Sequence, residues 1–168
     1  MNRDYYKHVY EGSFVKYPNE VALYTITGHA KKTDSEPWMG DKTYADYKVT
    51  SASLDVYRAL FQHRNTNEQH KHYGKTWVSQ RRLIVELAMS DKTLRSHIEA
   101  LENVGLIAIK RMYRQNRPFH VYTFPAPLNI DEFHARFPKA CAEYERKMQA
   151  LDKIREEEQA IADDFDWL

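Results

Sequence analysis

The sequence predicts an α+β chain centred on two short, tightly joined helices followed by a basic β-ribbon. The run Trp77-Val78-Ser79-Gln80-Arg81-Arg82-Leu83 opens one helix, and Ser90-Asp91-Lys92-Thr93-Leu94 opens a second almost at once. Gly105-Leu106-Ile107 closes the second helix and starts a strand. Two strand-like runs, residues 106–112 and 119–124, then flank a segment rich in arginine.

The bulk composition bounds what such a chain can be. At 168 residues it supports one domain of average size with room for an appended arm. A hydrophobic content of 42% with 22 aromatic residues supplies a core and excludes a disordered chain. The single cysteine, Cys141, excludes an intramolecular disulfide and fits a reducing compartment. The first eight residues carry charges where a signal peptide needs an apolar run. No apolar run approaches the ~20 residues of a membrane span. A cytoplasmic protein with no membrane partner is therefore expected.

The net charge of +1 hides an asymmetry. Residues 75–117 hold nine Lys/Arg against four Asp/Glu, whereas residues 141–168 hold four against nine. A basic block fits a polyanionic partner, and an acidic tail fits a different one. Two ordinary solvated faces would have the same composition, so charge alone does not decide.

In chain order, residues 1–50 read as an N-terminal extension packing on the core. They hold seven tyrosines and one apolar stretch, Val21-Ala22-Leu23-Tyr24-Thr25-Ile26, which fits a strand by alternation or a helix opened by Asn19-Glu20. Thr33-Asp34-Ser35-Glu36-Pro37 and Met39-Gly40-Asp41 read as loop. Residues 51–127 form the central domain. Ser51 or Ser53 caps its first helix, whose face is Leu54, Tyr57, Leu60 and Phe61. A polar connection over 65–74 leads to a short strand at Thr76-Trp77-Val78. The next helix buries Leu83, Ile84 and Leu87, with Val78 as a staple.

The helix capped by Ser90 is the best-defined element. Leu94, Ile98 and Leu101 form its buried stripe, and Gly105 stands where a left-handed residue is wanted, letting Leu106 pack back on Leu101. Lys92, Ser96, Glu99 and Asn103 face outward, with Arg95 on the flank. Residues 113–118 join the two strands, and Pro125 and Pro127 end the sheet. Residues 128–162 form a long C-terminal helical segment. Asn129-Ile130-Asp131-Glu132 is its capping box, and Pro138 fits the first turn of a later helix. Phe137, Cys141, Tyr144, Met148 and Leu151 follow 4-3-4-3 spacing; Ile154 and Ile161 restart it on a shifted face. Two heptads are too few for a coiled coil. Residues 163–168 are the acidic tail.

Leu83, Ile84, Ala88, Ser90, Thr93-Leu94, Ile98, Leu101 and Gly105-Leu106-Ile107 together resemble a winged helix-turn-helix domain. Two departures mark a diverged member: Ile84 exceeds the usual small residue, and Ala88 replaces the turn glycine, implying a less left-handed turn. Gly12-Ser13-Phe14-Val15-Lys16-Tyr17-Pro18-Asn19-Glu20 and the element order resemble phage and plasmid replication initiators of the DnaD N-terminal and replisome-organiser kind. The resemblance implies sequence-specific binding to double-stranded DNA, as a homodimer, in replication initiation of a mobile element. A transcription repressor shares the same binding mode, and a protein-interaction module shares the scaffold.

On that reading Lys92, Thr93, Arg95 and Ser96 reach base edges from the recognition helix, with Arg95 suited to a bidentate pair with guanine. Ser79, Gln80, Arg81 and Arg82 bind phosphate. Lys110, Arg111, Arg114 and Arg117, with Tyr113 and Asn116, arm the wing. Glu99 opposes phosphate in the middle of this face.

Other constellations carry less. His70-Lys71-His72 is similar to the paired-histidine motif of rolling-circle nucleases, but polar residues surround it. His63, His70 and His72 have zinc-like spacing without a fourth ligand, so a solvated loop and no metal are expected. No catalytic triad, P-loop or dinucleotide fingerprint is recognisable, and neither enzyme activity nor a cofactor is implied. Phe165, Trp167 and Leu168 in the acidic tail resemble the tips by which single-stranded-DNA-binding proteins recruit partners, which implies a replication or transcription protein as partner here. A solvated terminus, or a tail competing with DNA for the basic ribbon, has the same sequence.

Overall fold

The computed structural model describes residues 19–29, 37–39, 42–43 and 48–165. The class is α+β. Among the described residues, a 3-10 helix and five α-helices accompany two small antiparallel sheets. A minor hairpin, β1 (Pro37–Met39) and β2 (Lys42–Thr43), precedes α1 (Ser51–Gln62), α2 (Gln80–Leu87) and α3 (Asp91–Asn103). Next come β3 (Ala108–Arg114), β4 (Arg117–Thr123), α4 (Ile130–Arg136) and α5 (Pro138–Asp164). Among the described residues, no helix is long and apolar enough to cross a membrane.

The apolar stretch near residue 20 is neither strand nor α-helix. It is a 3-10 helix, Asn19–His29, because its burial repeats every three residues. Val21, Tyr24 and Thr27 form one buried row, Leu23 and Ile26 a second, while Ala22, Thr25 and Gly28 are only partly covered. The Thr25 and Thr27 hydroxyls donate to carbonyls three residues back, at 2.8 and 2.7 Å, reinforcing the tighter winding. Thr27 Oγ1 also accepts from the Val49 N–H at 2.9 Å. A Cβ on Gly28 would lie 2.5 Å from the Val49 carbonyl oxygen, so the two backbones approach this closely only at glycine. Tyr24 packs edge-on against Phe133 at 5.1 Å, and its hydroxyl accepts from the Leu128 N–H at 3.1 Å. The segment thus closes onto the helices that follow the sheet.

Two local assignments differ from the sequence reading. Pro37 and Met39 pair with β2 instead of lying in loop, because residues flanking a chain reversal are free to enter a ladder. The N-cap of α1 is Thr50, not Ser51 or Ser53. Reciprocal capping needs a three-residue spacing, which Thr50 and Ser53 have: each side chain accepts from the other's N–H, at 3.4 and 3.0 Å.

α1 buries Leu54, Val56, Tyr57 and Leu60. Phe124, just past β4, closes over it, edge-on to Tyr57 at 5.6 Å and to Phe61 at 5.1 Å. The short strand expected at 76–78 shrinks to one bridge. Thr76 and Tyr122 exchange both backbone hydrogen bonds, at 3.1 and 2.7 Å, which ties the start of α2 to β4.

In α2 only Leu83 is fully buried, while Ile84 and Leu87 are half-buried. A two-turn helix presents one position squarely to the core. The helix ends at Ala88, which is fully left-handed (φ 52°, ψ 38°), correcting the weaker turn expected of alanine. With only Ala88 and Met89 between the end of α2 and the Ser90 cap, the chain must reverse direction sharply. α3 ends in a Schellman motif: Leu106 N–H donates to Leu101 O and Gly105 N–H to Glu102 O, both at 3.0 Å, with Gly105 at φ 84°. Leu94, Leu101 and Leu106 are completely buried.

The joint between β3 and β4 is tighter than the sequence indicates. Arg114 pairs with Arg117, leaving only Gln115 and Asn116 as the turn, at φ 49° and 60°. Two consecutive positive φ values mark a type I′ turn, whose twist matches that of the strands, and asparagine tolerates this region well. The strands therefore run further than the apolar pattern alone.

Asn129 caps α4 with the expected capping box, and Pro138 opens α5. α5 buries Ala140, Cys141 and Tyr144, partly covers Met148 and Leu151, and exposes every residue from 153 to its end.

Candidate nucleic-acid interface

α2, α3 and the β3–β4 hairpin are rich in cations, and these are of two kinds. Some are already paired. Arg82 Nε donates to Glu86 Oε1 at 2.6 Å, and Glu86 also meets His63 at 2.8 Å; these two bonds hold the Glu86 carboxyl below its usual pKa. Arg95 reaches Asp91 at 3.0 and 3.1 Å. Arg111 makes a two-pronged contact with Glu102, at 3.0 and 3.3 Å, fastening the hairpin to the C-terminal turn of α3. In contrast, Arg81, Lys92, Lys110, Arg114 and Arg117 are exposed and have no carboxylate partner among the described residues.

Strand alternation divides the hairpin cations further. Directly paired residues share a face. Arg111 therefore lies with Ile109, His120 and Tyr122, turned toward α3, while Lys110, Arg114 and Arg117 share the opposite face. Tyr113 sits near the tip at 76% exposure.

The other candidate residues fall into place locally. Ser79 is the N-cap of α2, accepting from the Arg82 N–H at 3.2 Å. Ser90 caps α3, and the Thr93 hydroxyl lies 2.8 Å from it, so Thr93 supports the cap. Ser96 is exposed on the outer face of α3, and Asn116 forms the hairpin turn. Gln80 is half-buried, its side-chain amide 3.4 Å from His120 Nδ1, joining the start of α2 to the hairpin.

Between α3 and the hairpin lies a cleft of about 660 Å³, walled by Trp77, Gln80, Glu99, Asn103, His120 and Tyr122 among others. Trp77 is half exposed at 51%. Burial lowers the pKa of His120 and the nearby Arg111 charge lowers it further, with Glu102 opposing the shift. Glu99 has no hydrogen-bond or ion-pair partner among the described residues. The sequence reading missed Trp77, Glu102, His120 and Tyr122. Their roles depend on how the hairpin leans on α3, and no local spacing encodes that angle.

Elsewhere, His70 and His72 are ring neighbours at 5.3 Å in an exposed turn. Among the described residues, no group of three or more His, Cys, Asp or Glu is placed to hold a metal. Phe165 is 56% exposed at the end of α5, and Trp167 and Leu168 lie outside the described residues. No family model, curated protein or solved structure matches the chain.

Proposed function

We propose that α1, the Thr76 bridge, α2, α3 and the hairpin form a winged helix-turn-helix domain that binds double-stranded DNA. α3 is its recognition helix and the hairpin its wing. The observation that carries the reading is the set of five unpartnered cations, Arg81, Lys92, Lys110, Arg114 and Arg117, spread over those elements. Exposed cations left over after local pairing are available to phosphate, and several acting together release counterions. Arg95 supports the same reading. Its contact with Asp91 is an exposed i,i+4 pair of small strength, readily exchanged for a bidentate contact with guanine.

The chain acts as a homodimer on this reading, because one such domain reads few base pairs. Replication initiation on a phage or plasmid-like element is the role we favour, on the resemblance of the element order. The test is affinity for random duplex DNA across a salt series, followed by selection from a random library. Five phosphate contacts give a slope of log affinity against log salt of roughly −4 to −5. Adjacent repeats in the selected site support an initiator, whereas a single palindrome points to repression. No binding at low salt overturns the reading and leaves a protein-docking scaffold.

A further inference from the structure

The cleft between α3 and the hairpin has a chemistry that phosphate does not explain. Glu99 projects from the middle of the outer face of α3 without a partner, and a lone carboxylate repels a phosphate chain passing over it. What a carboxylate accepts from nucleic acid is an N–H on a base edge, an exocyclic amino group or, in an unpaired base, a ring N–H. The remaining walls fit a flat ring. Trp77 stands half exposed at one end, and the His120 and Tyr122 rings lie on the hairpin side, 6.1 Å apart and nearly perpendicular. The volume, about 660 Å³, falls within the ~300–1,000 Å³ typical of ligand pockets. Arg95, whose exposed pair with Asp91 is readily exchanged, borders the same cleft, where it can meet a phosphate beside an inserted nucleotide. A paired base keeps its edge inside the groove of the stack and cannot enter a recess. An unpaired nucleotide can swing out of line and do so.

We propose that this cleft receives one unpaired nucleobase, with Glu99 accepting from its Watson–Crick edge and Trp77 stacking on its face. The inference rests on the DNA-binding reading above and deepens it: the preferred substrate is a duplex bearing a single-stranded tail. Guanine offers a carboxylate two adjacent donors on that edge, its ring N1–H and its amino group, whereas adenine, cytosine and thymine each offer one.

The test uses the full chain with blunt duplex, with the same duplex carrying a short tail of each base, and with an abasic tail of equal length. The abasic tail has the same phosphates, so it removes the electrostatic contribution of the extra strand. A base-bearing tail should bind roughly tenfold tighter than the abasic one, as expected for stacking one base, with guanine the tightest. Trp77→Ala should reduce the advantage to near the abasic level. Glu99→Ala should erase the margin of guanine over the other bases while tightening binding to blunt duplex. Blunt duplex bound as tightly as every tailed form overturns the cleft proposal and leaves duplex binding standing. Base-dependent binding of tails without binding of blunt duplex supports the cleft and overturns the duplex reading. Failure to bind any of these DNAs overturns both.

Discussion

α3 with its hairpin and α5 divide the same resources in opposite ways. α3 is 13 residues long, has a side-chain cap at its start and a glycine lock at its end, and buries its apolar stripe along its whole length. α5 is 27 residues long, begins on Phe137 and Pro138 without a side-chain cap, and is covered only over its first half. Their charges differ likewise. In α5, Arg146 and Lys147 meet Glu143, and Arg155 meets Asp152, so these cations are used within one turn and the surplus is acidic. Around α3 and its hairpin five exposed cations remain unpaired among the described residues against the single carboxylate of Glu99, and the surplus is basic. Which charges remain after local pairing, more than net charge, decides what each surface offers a partner.

The largest effect that tests the contrast is on stability. Leu101→Ala empties a fully buried site and should lower unfolding free energy by about 2–5 kcal/mol. Ile154→Ala, at a position 49% exposed, should stay within about 0.5 kcal/mol. Denaturant titration of both variants measures the difference, and comparable losses would mean that the second half of α5 is covered in solution.

Next in size is a binding contrast that depends on the proposed function. Arg114→Ala with Arg117→Ala should weaken affinity for every duplex and lower the salt slope by about 2, near one unit per lost phosphate contact. Arg146→Ala with Arg155→Ala removes as much charge from locally paired positions and should leave the slope unchanged. Equal loss in both pairs, read by fluorescence anisotropy, would show that only net charge matters.

Much of α3 was legible in the sequence because its signals are local. Ser90 and Gly105 are read from spacings of a few residues, and the stripe Leu94, Ile98 and Leu101 has the helical period. The segment from Asn19 was ambiguous because its period of three matches neither standard template. Gln115-Asn116 concealed a two-residue turn because the usual turn glycine is absent. The site was legible as composition, since the basic residues were found, but its division was not. The Arg111–Glu102 contact spans nine residues and the Gln80–His120 contact forty, and both depend on the angle at which the hairpin meets α3.

A smaller effect concerns the joint that sets the direction of α3. Ala88 is held at φ 52°, a conformation that costs an L-residue roughly 1–2 kcal/mol relative to glycine. Ala88→Gly relieves that strain, and the greater freedom of glycine in the unfolded chain takes part of the gain back. A net stabilisation of up to about 1 kcal/mol is expected, visible as a rise in Tm. A loss instead would mean that Ala88 relaxes out of the left-handed region in solution.

Near neutral pH the effect is smallest for a contrast that separates the two regions by pH. His97 on α3 is packed against α1, its Nδ1 2.9 Å from Ser53 Oγ, and burial lowers its pKa below 6.5, with Asp55 opposing the shift. As pH falls below 6.5 the unfolded chain takes up this proton before the folded one. Stability therefore declines with falling pH and levels off below the folded pKa. Tyr144 on α5 is shifted the other way: burial raises its pKa to about 12. Its contribution is complete below 10 and is lost as pH climbs from 10 toward 12. His97→Gln should thus flatten part of the acid limb of a stability profile and leave the alkaline limb alone. Tyr144→Phe should do the reverse, with Tyr24 and Tyr122, also raised by burial, sustaining the remainder. Denaturant midpoints across the pH range decide it. A His97→Gln profile parallel to wild type on the acid side would mean that the ring is as easily protonated folded as unfolded, and that its seat between α3 and α1 is open to water.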